Sequence, residues 1–224
     1  MNAALAVFGR ALAHAADGHE SMVYLTSVTG DTLARMDAGD WCGGSRPGDE
    51  SLLEGCTGST LDVGCGPGRL VAALAGRGVA ALGIDISREA VSQARDRGAA
   101  ARLCDVFGEV PDAGWWAHVL LADGNIGIGG HPVELLRRCV SLLRPGGTVI
   151  AETGTPGSGT WRHPVRLRHN GRHSPPFWWA AVAADDMQAI SDAANLTIVR
   201  HWASAGRWFA QLRRRVEETV CKHK

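Results

Sequence analysis

The residues best suited to chemistry lie in one stretch, Leu61-Asp62-Val63-Gly64-Cys65-Gly66-Pro67-Gly68-Arg69-Leu70, and in two acids beyond it, Asp85 and Asp105. The stretch starts apolar, passes through three glycines spaced two apart, and becomes helical over Leu70–Ala75. Glycine accepts positive φ and lets a ligand approach the backbone, and a helix start offers unpaired N–H groups. Asp62, two residues before the first glycine, would repel a diphosphate and attract a cationic amino-acid group. Asp85 ends an apolar run 17 residues after Gly68, the place for an acid that holds both ribose hydroxyls. Asp105 ends the next run, where a carboxylate can accept from an adenine amino group. Each acid alone fits a helix cap or a solvated strand end. In this order they point to a ligand with a positive end, a ribose and an adenine, and no required phosphate. A dinucleotide would want G-x-G-x-x-G, and Arg69 stands in the last glycine's place.

The elements that must position these residues alternate. Strands are expected at Thr60–Val63, Val79–Ile86, Ala101–Cys104, near Trp116–Ala122 and at Thr148–Thr153. Helices are expected at Arg69–Arg77, from the cap Ser87 to Arg97, and from Pro132 to Leu143, the last stopped by Pro145-Gly146-Gly147. This is an α/β pattern of right-handed crossovers, a doubly wound sheet with helices on both faces and ligands at the carboxyl strand ends. Before it, residues 2–16 read as a helix, Met22–Met36 as an apolar segment with a short helix capped by Asp31, and Gly39–Gly48 as a loop holding Trp41. After it, Asn170-Gly171 joins two extended arms into a hairpin. A helix capped by Asp185 or Asp186 runs to Asn195, and strands follow at Leu196–Val199 and Arg207–Leu212.

Leu61–Leu70, Gly83-Ile84-Asp85-Ile86-Ser87, the Asp105 turn and Leu142-Leu143-Arg144-Pro145-Gly146-Gly147-Thr148 resemble the ordered motifs of class I S-adenosylmethionine-dependent methyltransferases. The resemblance covers roughly residues 55–153. It implies a Rossmann-like seven-stranded mixed sheet whose last strand is inserted antiparallel, here with an N-terminal helical cap (residues 1–55) and a hairpin insertion at about 157–180 within a domain spanning 56–215, then a tail from 216. It implies S-adenosylmethionine as cofactor. Gly64, Cys65, Gly66 and Gly68 would line the methionine part with Asp62 near its ammonium. Asp85 would take the ribose hydroxyls, Ile86 would pack on the adenine, and Asp105 would face its amino group, with Val106 contributing a backbone N–H. Ala122 and Asp123 would flank the sulfonium.

The loop Asp123–His131 follows the fourth strand of that sheet and is the expected place for chemistry. Asp123 and Asn125 would orient an amine or hydroxyl, and His131 has the ordinary pKa of a base. The loop lacks the Asn/Asp-Pro-Pro-aromatic motif of amino-directed DNA and protein methyltransferases. No cysteine pattern of an RNA C5 enzyme occurs, and no carboxylate cluster has metal spacing, so no metal is expected. Substrate contacts are expected from Trp41 and, on the hairpin, from Arg166, Arg168, Trp178 and Trp179. The arginines would pair with a carboxylate or phosphate or serve an RNA-binding arm.

The expected function is methyl transfer to O or N of a small molecule, plausible for a specialised metabolite. The alternatives are an RNA or protein methyltransferase and a non-catalytic S-adenosylmethionine-binding protein. The 224 residues carry no net charge, yet residues 1–150 hold 12 basic and 17 acidic side chains and the remainder 11 and 6. A nucleic-acid partner would want a stronger overall basic excess. Six scattered cysteines without C-x-x-C read as reduced thiols. No apolar run is long enough for a bilayer, and Met1–Ala16 lacks a basic leader, so a cytoplasmic protein is expected. A homodimer is one option for its assembly.

Overall fold

The computed structural model describes residues 2–215. In chain order it contains α1 (Asn2–Ala16), β1 (Met22–Ser27), β2 (Thr32–Asp37), α2 (Ala38–Cys42), α3 (Asp49–Leu53), β3 (Thr60–Val63), α4 (Arg69–Gly76), β4 (Ala81–Asp85), α5 (Arg88–Asp96), β5 (Ala101–Leu103), β6 (Trp116–Leu121), α6 (Pro132–Leu142), β7 (Leu143–Thr153), β8 (Trp161–His169), β9 (Arg172–His173), β10 (Phe177–Ala181), α7 (Met187–Ala193), β11 (Leu196–Ser204) and β12 (Arg207–Arg214). The tail expected from residue 216, with Cys221, lies outside the described residues.

Seven strands form the main sheet in the order β11-β12-β7-β6-β3-β4-β5. β3 runs parallel to β4 and β6, and β6 to β7, while β12 is antiparallel to both β7 and β11. This is the mixed α/β sheet expected. Every residue of β3 and β6 is buried, as befits parallel strands covered on both faces. The period of two then sorts the side chains. Leu61, Val63, Val119 and Leu121 pack with Leu135, Leu136 and Met187 of α6 and α7. Leu120, Ala122 and Ile150 pack on the other face with Leu52, Leu70 and Leu74 of α3 and α4.

A second, antiparallel sheet has the order β10-β8-β1-β2, with β9 added to β8. Its register places Leu25 opposite Leu167 and Phe177 opposite Val165. The short helix expected after Gly30 is therefore corrected to a hairpin, β1–β2. Val23, Tyr24 and Thr26 favour a pleated surface, and Asp31 closes the turn rather than capping a helix. Its carboxylate accepts from the Ser27 and Thr29 hydroxyls, and the Ser27 hydroxyl oxygen accepts from the Asp31 N–H. The expected N-terminal helical cap is thus a helix plus half of a sheet whose other half is the insertion after β7. Asn170 and Gly171 turn that insertion with φ of 44° and 73°.

Smaller differences have local causes. α2 takes the first part of the expected 39–48 loop because Asp37 accepts from the Gly39 N–H at 2.9 Å. β7 begins at Leu143, ahead of the expected Thr148, because Leu143 already pairs with Trp116. Asp186 makes no side-chain cap to α7, and Asp185 instead accepts from the Gly157 N–H. No helix among the described residues is long and apolar enough to cross a membrane.

Candidate active site

β3, β4, β5 and β6 end on the same side of the sheet, so the acids read in sequence converge there. After β3 the chain turns through Gly64, Gly66 and Gly68, all at positive φ. The Gly64 and Cys65 N–H groups donate to the Ile84 carbonyl at 2.8 and 3.1 Å. A Cβ on Gly68 would lie 2.7 Å from that of Ala94, so glycine there lets α4 begin against α5. Gly68 itself faces this packing contact and not the cavity.

A cavity of about 680 Å³ opens above these strand ends. At one end it is lined by Asp62, Gly64, Cys65, Gly66, Asp85, Ile86, Asp105, Val106, Ala122 and Asp123. The other end is the second sheet and its neighbours, including Phe8, Leu25, Met36, Trp41, Trp161, Phe177, Trp178 and Trp179. Ala4 and Leu5 of α1 also reach it.

The acids differ in what holds them. Asp62 is 2% exposed. Burial, and then the neighbouring Asp123, push its pKa up to about 7 against the pull of Arg69. Among the described residues its carboxylate has no hydrogen-bond partner. Asp85 is also raised by burial, countered by backbone N–H groups. It accepts from Gly66 at 3.0 Å and Ser87 at 2.7 Å. Asp105 is exposed and accepts from the Phe107 N–H at 3.0 Å.

The loop after β6 is placed differently from expectation in three respects. Asn125 lines the cavity, but its amide donates to the carbonyls of Val63 and Gly64, both at 2.9 Å, which clamps the loop to the glycine turn. Asp123 lines the cavity within an ion cluster. It meets Arg69 at 2.6 Å, Arg46 at 3.0 Å and Arg207 at 3.3 Å. Burial raises its pKa and the three guanidiniums oppose that rise. A carboxylate so shared is a counter-ion, not a free base. His131 does not reach the cavity at all. The chain turns away at Gly129 and Gly130, and His131 becomes the residue before α6 with its Nε2 against Arg162. The expectation of a base there is corrected.

The hairpin arginines also move off the site. Val165 and Leu167 turn inward and Leu167 lines the cavity, so Arg166 and Arg168 point the other way. Arg166 donates to the Ser174 carbonyl at 3.1 Å, and Arg168 stacks 4.2 Å from the Tyr24 ring centroid. Both brace the second sheet.

Sequence reasoning missed the rest of the ion cluster. Arg69 and Arg207 both pair with the buried Asp49, and Arg207 also pairs with Glu152 at 2.7 Å. Glu152 accepts the Asp123 N–H at 2.7 Å. These residues are far apart in the chain. The only local signal was a basic residue directly after the glycines and an acid near the end of a strand.

The comparisons agree with this architecture. Residues 60–147 match a family model described as "Methyltransferase domain". No curated protein matches the chain in sequence. A methyltransferase of Bacteroides fragilis, solved with S-adenosyl-L-homocysteine, superposes with a TM-score of 0.78 at 21% identity over 96% of this chain and 98% of that one. A 1,6-didemethyltoxoflavin N1-methyltransferase of Burkholderia thailandensis has a TM-score of 0.55 at 17% identity over 75% and 76% of the two chains. A sugar N-methyltransferase of a Streptoalloteichus species has 0.56 at 18% over 75% and 85%. At such identities these structures share the fold. The chain therefore contains a methyltransferase domain and has the fold of solved S-adenosylmethionine-dependent methyltransferases.

Proposed function

We propose that the enzyme moves a methyl group from S-adenosylmethionine to a nitrogen or oxygen of a small molecule held under the second sheet. The observation that carries this is one continuous cavity with acid-bearing strand ends at one end and apolar rings at the other.

The residues present fit the cofactor. Asp62 is a buried carboxylate at the cavity wall with no hydrogen-bond partner among the described residues, which suits an ammonium. Asp85 already accepts two backbone N–H groups, and a carboxylate has about four acceptor sites, so two remain for the ribose hydroxyls. Ile86 and Val106 would flank the adenine, and Asp105 would face its amino group. Gly64 and Gly66 would let the methionine part lie on the backbone. When bound, the cofactor supplies an electrophilic methyl group whose bonding pair stays with sulfur as the acceptor's lone pair takes the carbon.

The protein's contribution is to hold the acceptor in line and dry, which can supply much of the rate without a dedicated base. Ala122 and Asp123, at the end of β6, border the place where the two would meet. Asp123 holds its backbone there through the arginines and Glu152, and Asn125 ties the same loop to the glycine turn. The acceptor must share about 680 Å³ with the cofactor, which favours a small molecule over a polymer. Two of the fold relatives, the didemethyltoxoflavin and sugar N-methyltransferases, carry small-molecule acceptors in their names.

Asp85→Ala should weaken S-adenosylhomocysteine binding by about 1–3 kcal/mol, since it leaves ribose donors unpaired. Titration calorimetry checks this, and an unchanged affinity would remove Asp85 from the cofactor site.

A further inference from the structure

We propose that the methyl acceptor is an uncharged aromatic ring compound. This rests on the cofactor reading above and names the class of molecule for the remaining half of the cavity.

The walls of that half are apolar and ring-rich. Phe8 and Trp41 pack with centroids 5.6 Å apart, and Phe177 meets Trp179 edge-on at 6.2 Å and 81°. Leu25 and Met36 fill in from β1 and β2. Rings offered as faces and edges from two directions suit stacking and edge contacts with another ring. The ceiling is also held in place, because Trp179 forms a β-bridge to Ile128 of the loop after β6. An aliphatic chain could fill such a space but would use none of the ring geometry.

Charge sets the second limit. Among the described residues the cavity is lined by five carboxylates and one guanidinium, Arg69. Arg69 is already taken by Asp49 and Asp123. Of the hairpin arginines, Arg166 and Arg168 brace the sheet, and Arg162 stacks 4.1 Å from the Trp178 ring centroid without lining the cavity. An acceptor carboxylate or phosphate would therefore lose its water beside acids and gain no cation, which is strongly unfavourable. A protonated amine has no lone pair to give. Both charged classes are disfavoured, and a neutral ring bearing N–H or O–H remains.

The test uses the full chain saturated with S-adenosylhomocysteine and two probes of one ring size, 2-naphthol and 2-naphthoate, titrated calorimetrically at neutral pH. Naphthol should bind at least about tenfold more tightly than naphthoate. Phe177→Ala should weaken naphthol about tenfold while leaving the S-adenosylhomocysteine titration unchanged, which also reports that the variant is folded. Equal or tighter naphthoate binding overturns the proposal. So does a Phe177→Ala protein that binds S-adenosylhomocysteine and naphthol as before, or an absence of binding by either probe to a protein that binds S-adenosylhomocysteine. Failure of the unmodified protein to bind S-adenosylhomocysteine overturns the cofactor reading instead.

Discussion

Asp62 sets a conflict between position and chemistry. Its strand buries it, and a buried carboxylate resists ionisation. With Asp123 and Asp85 adding repulsion and Arg69 only partly offsetting it, its pKa rises to about 7. The folded value lies above the unfolded one, so the folded chain without cofactor holds an extra proton between about pH 4 and pH 7. The stability contributed by this group is present below that window and lost as pH rises through it. A bound ammonium would favour the ionised form and reverse the preference. S-adenosylhomocysteine should therefore bind more tightly as pH rises from 5.5 to 8, with proton uptake by the buffer below pH 7. Asp62→Asn should flatten that slope. Calorimetry in buffers of different ionisation enthalpy measures both, and an unchanged slope in the variant would place the titration elsewhere. That Asp62 precedes the glycines was legible in the sequence. That it stands without a hydrogen bond was not, because this depends on which side chains from α4 and the β6 loop surround it.

At the scale of elements, the second sheet is built on a close approach. A Cβ on Gly127 would come within 2.0 Å of the Ala180 carbonyl oxygen and 2.7 Å of the Trp179 indole nitrogen. β10 can seat on the loop only if residue 127 has no side chain. Gly127→Ala should lift β10 and cost about 1–3 kcal/mol of stability. Turnover should fall further than that, with S-adenosylhomocysteine binding retained, because the cofactor end of the cavity lies on the other sheet. Thermal melting, calorimetry and a methyl-transfer assay separate the three. Local grammar revealed half of this sheet. Asn170-Gly171 announces β8 and β9 because the turn carries its own conformational preference. Met22–Met36 was read as part helix because its strands are recognised only through β8, some 140 residues away, where the Thr26 hydroxyl donates to the Arg166 carbonyl.

Across the molecule, the opposed charges of the two chain portions meet in one buried cluster. Arg207 from β12 pairs with Asp49 of α3, with Glu152 of β7 and with Asp123. Arg69 at the start of α4 joins two of these acids, Asp49 and Asp123. The cluster ties the N-terminal segment to the β6 loop and the last strand beneath the cavity. Asp49 is 1% exposed and cannot lose a partner cheaply. Arg69→Met should lower unfolding stability by about 3 kcal/mol, read by urea denaturation. A loss below about 1 kcal/mol would mean that Arg207 alone satisfies Asp49.

The cofactor half was legible because it is assembled from neighbours. Strand, glycine turn and helix follow one another within a few residues. Period-two and period-three-to-four patterns report burial directly, and each acid lies at or just beside the end of its own strand. The acceptor half was legible only in Trp41, Trp178 and Trp179, because its walls come from residues 4–41 and 161–182 and meet through antiparallel pairing of β1 with β8. Which face of a strand looks inward depends on its register with a distant partner. That pairing took Arg166 and Arg168 off the site and put Phe177 and Trp179 on it. The departure of His131 has a nearer cause, a backbone turn at Gly129-Gly130 whose direction is settled by the packing of α6 and β10. Local residue types and spacing point to the ligand of the first half, and the folding of remote segments against one another shapes the second.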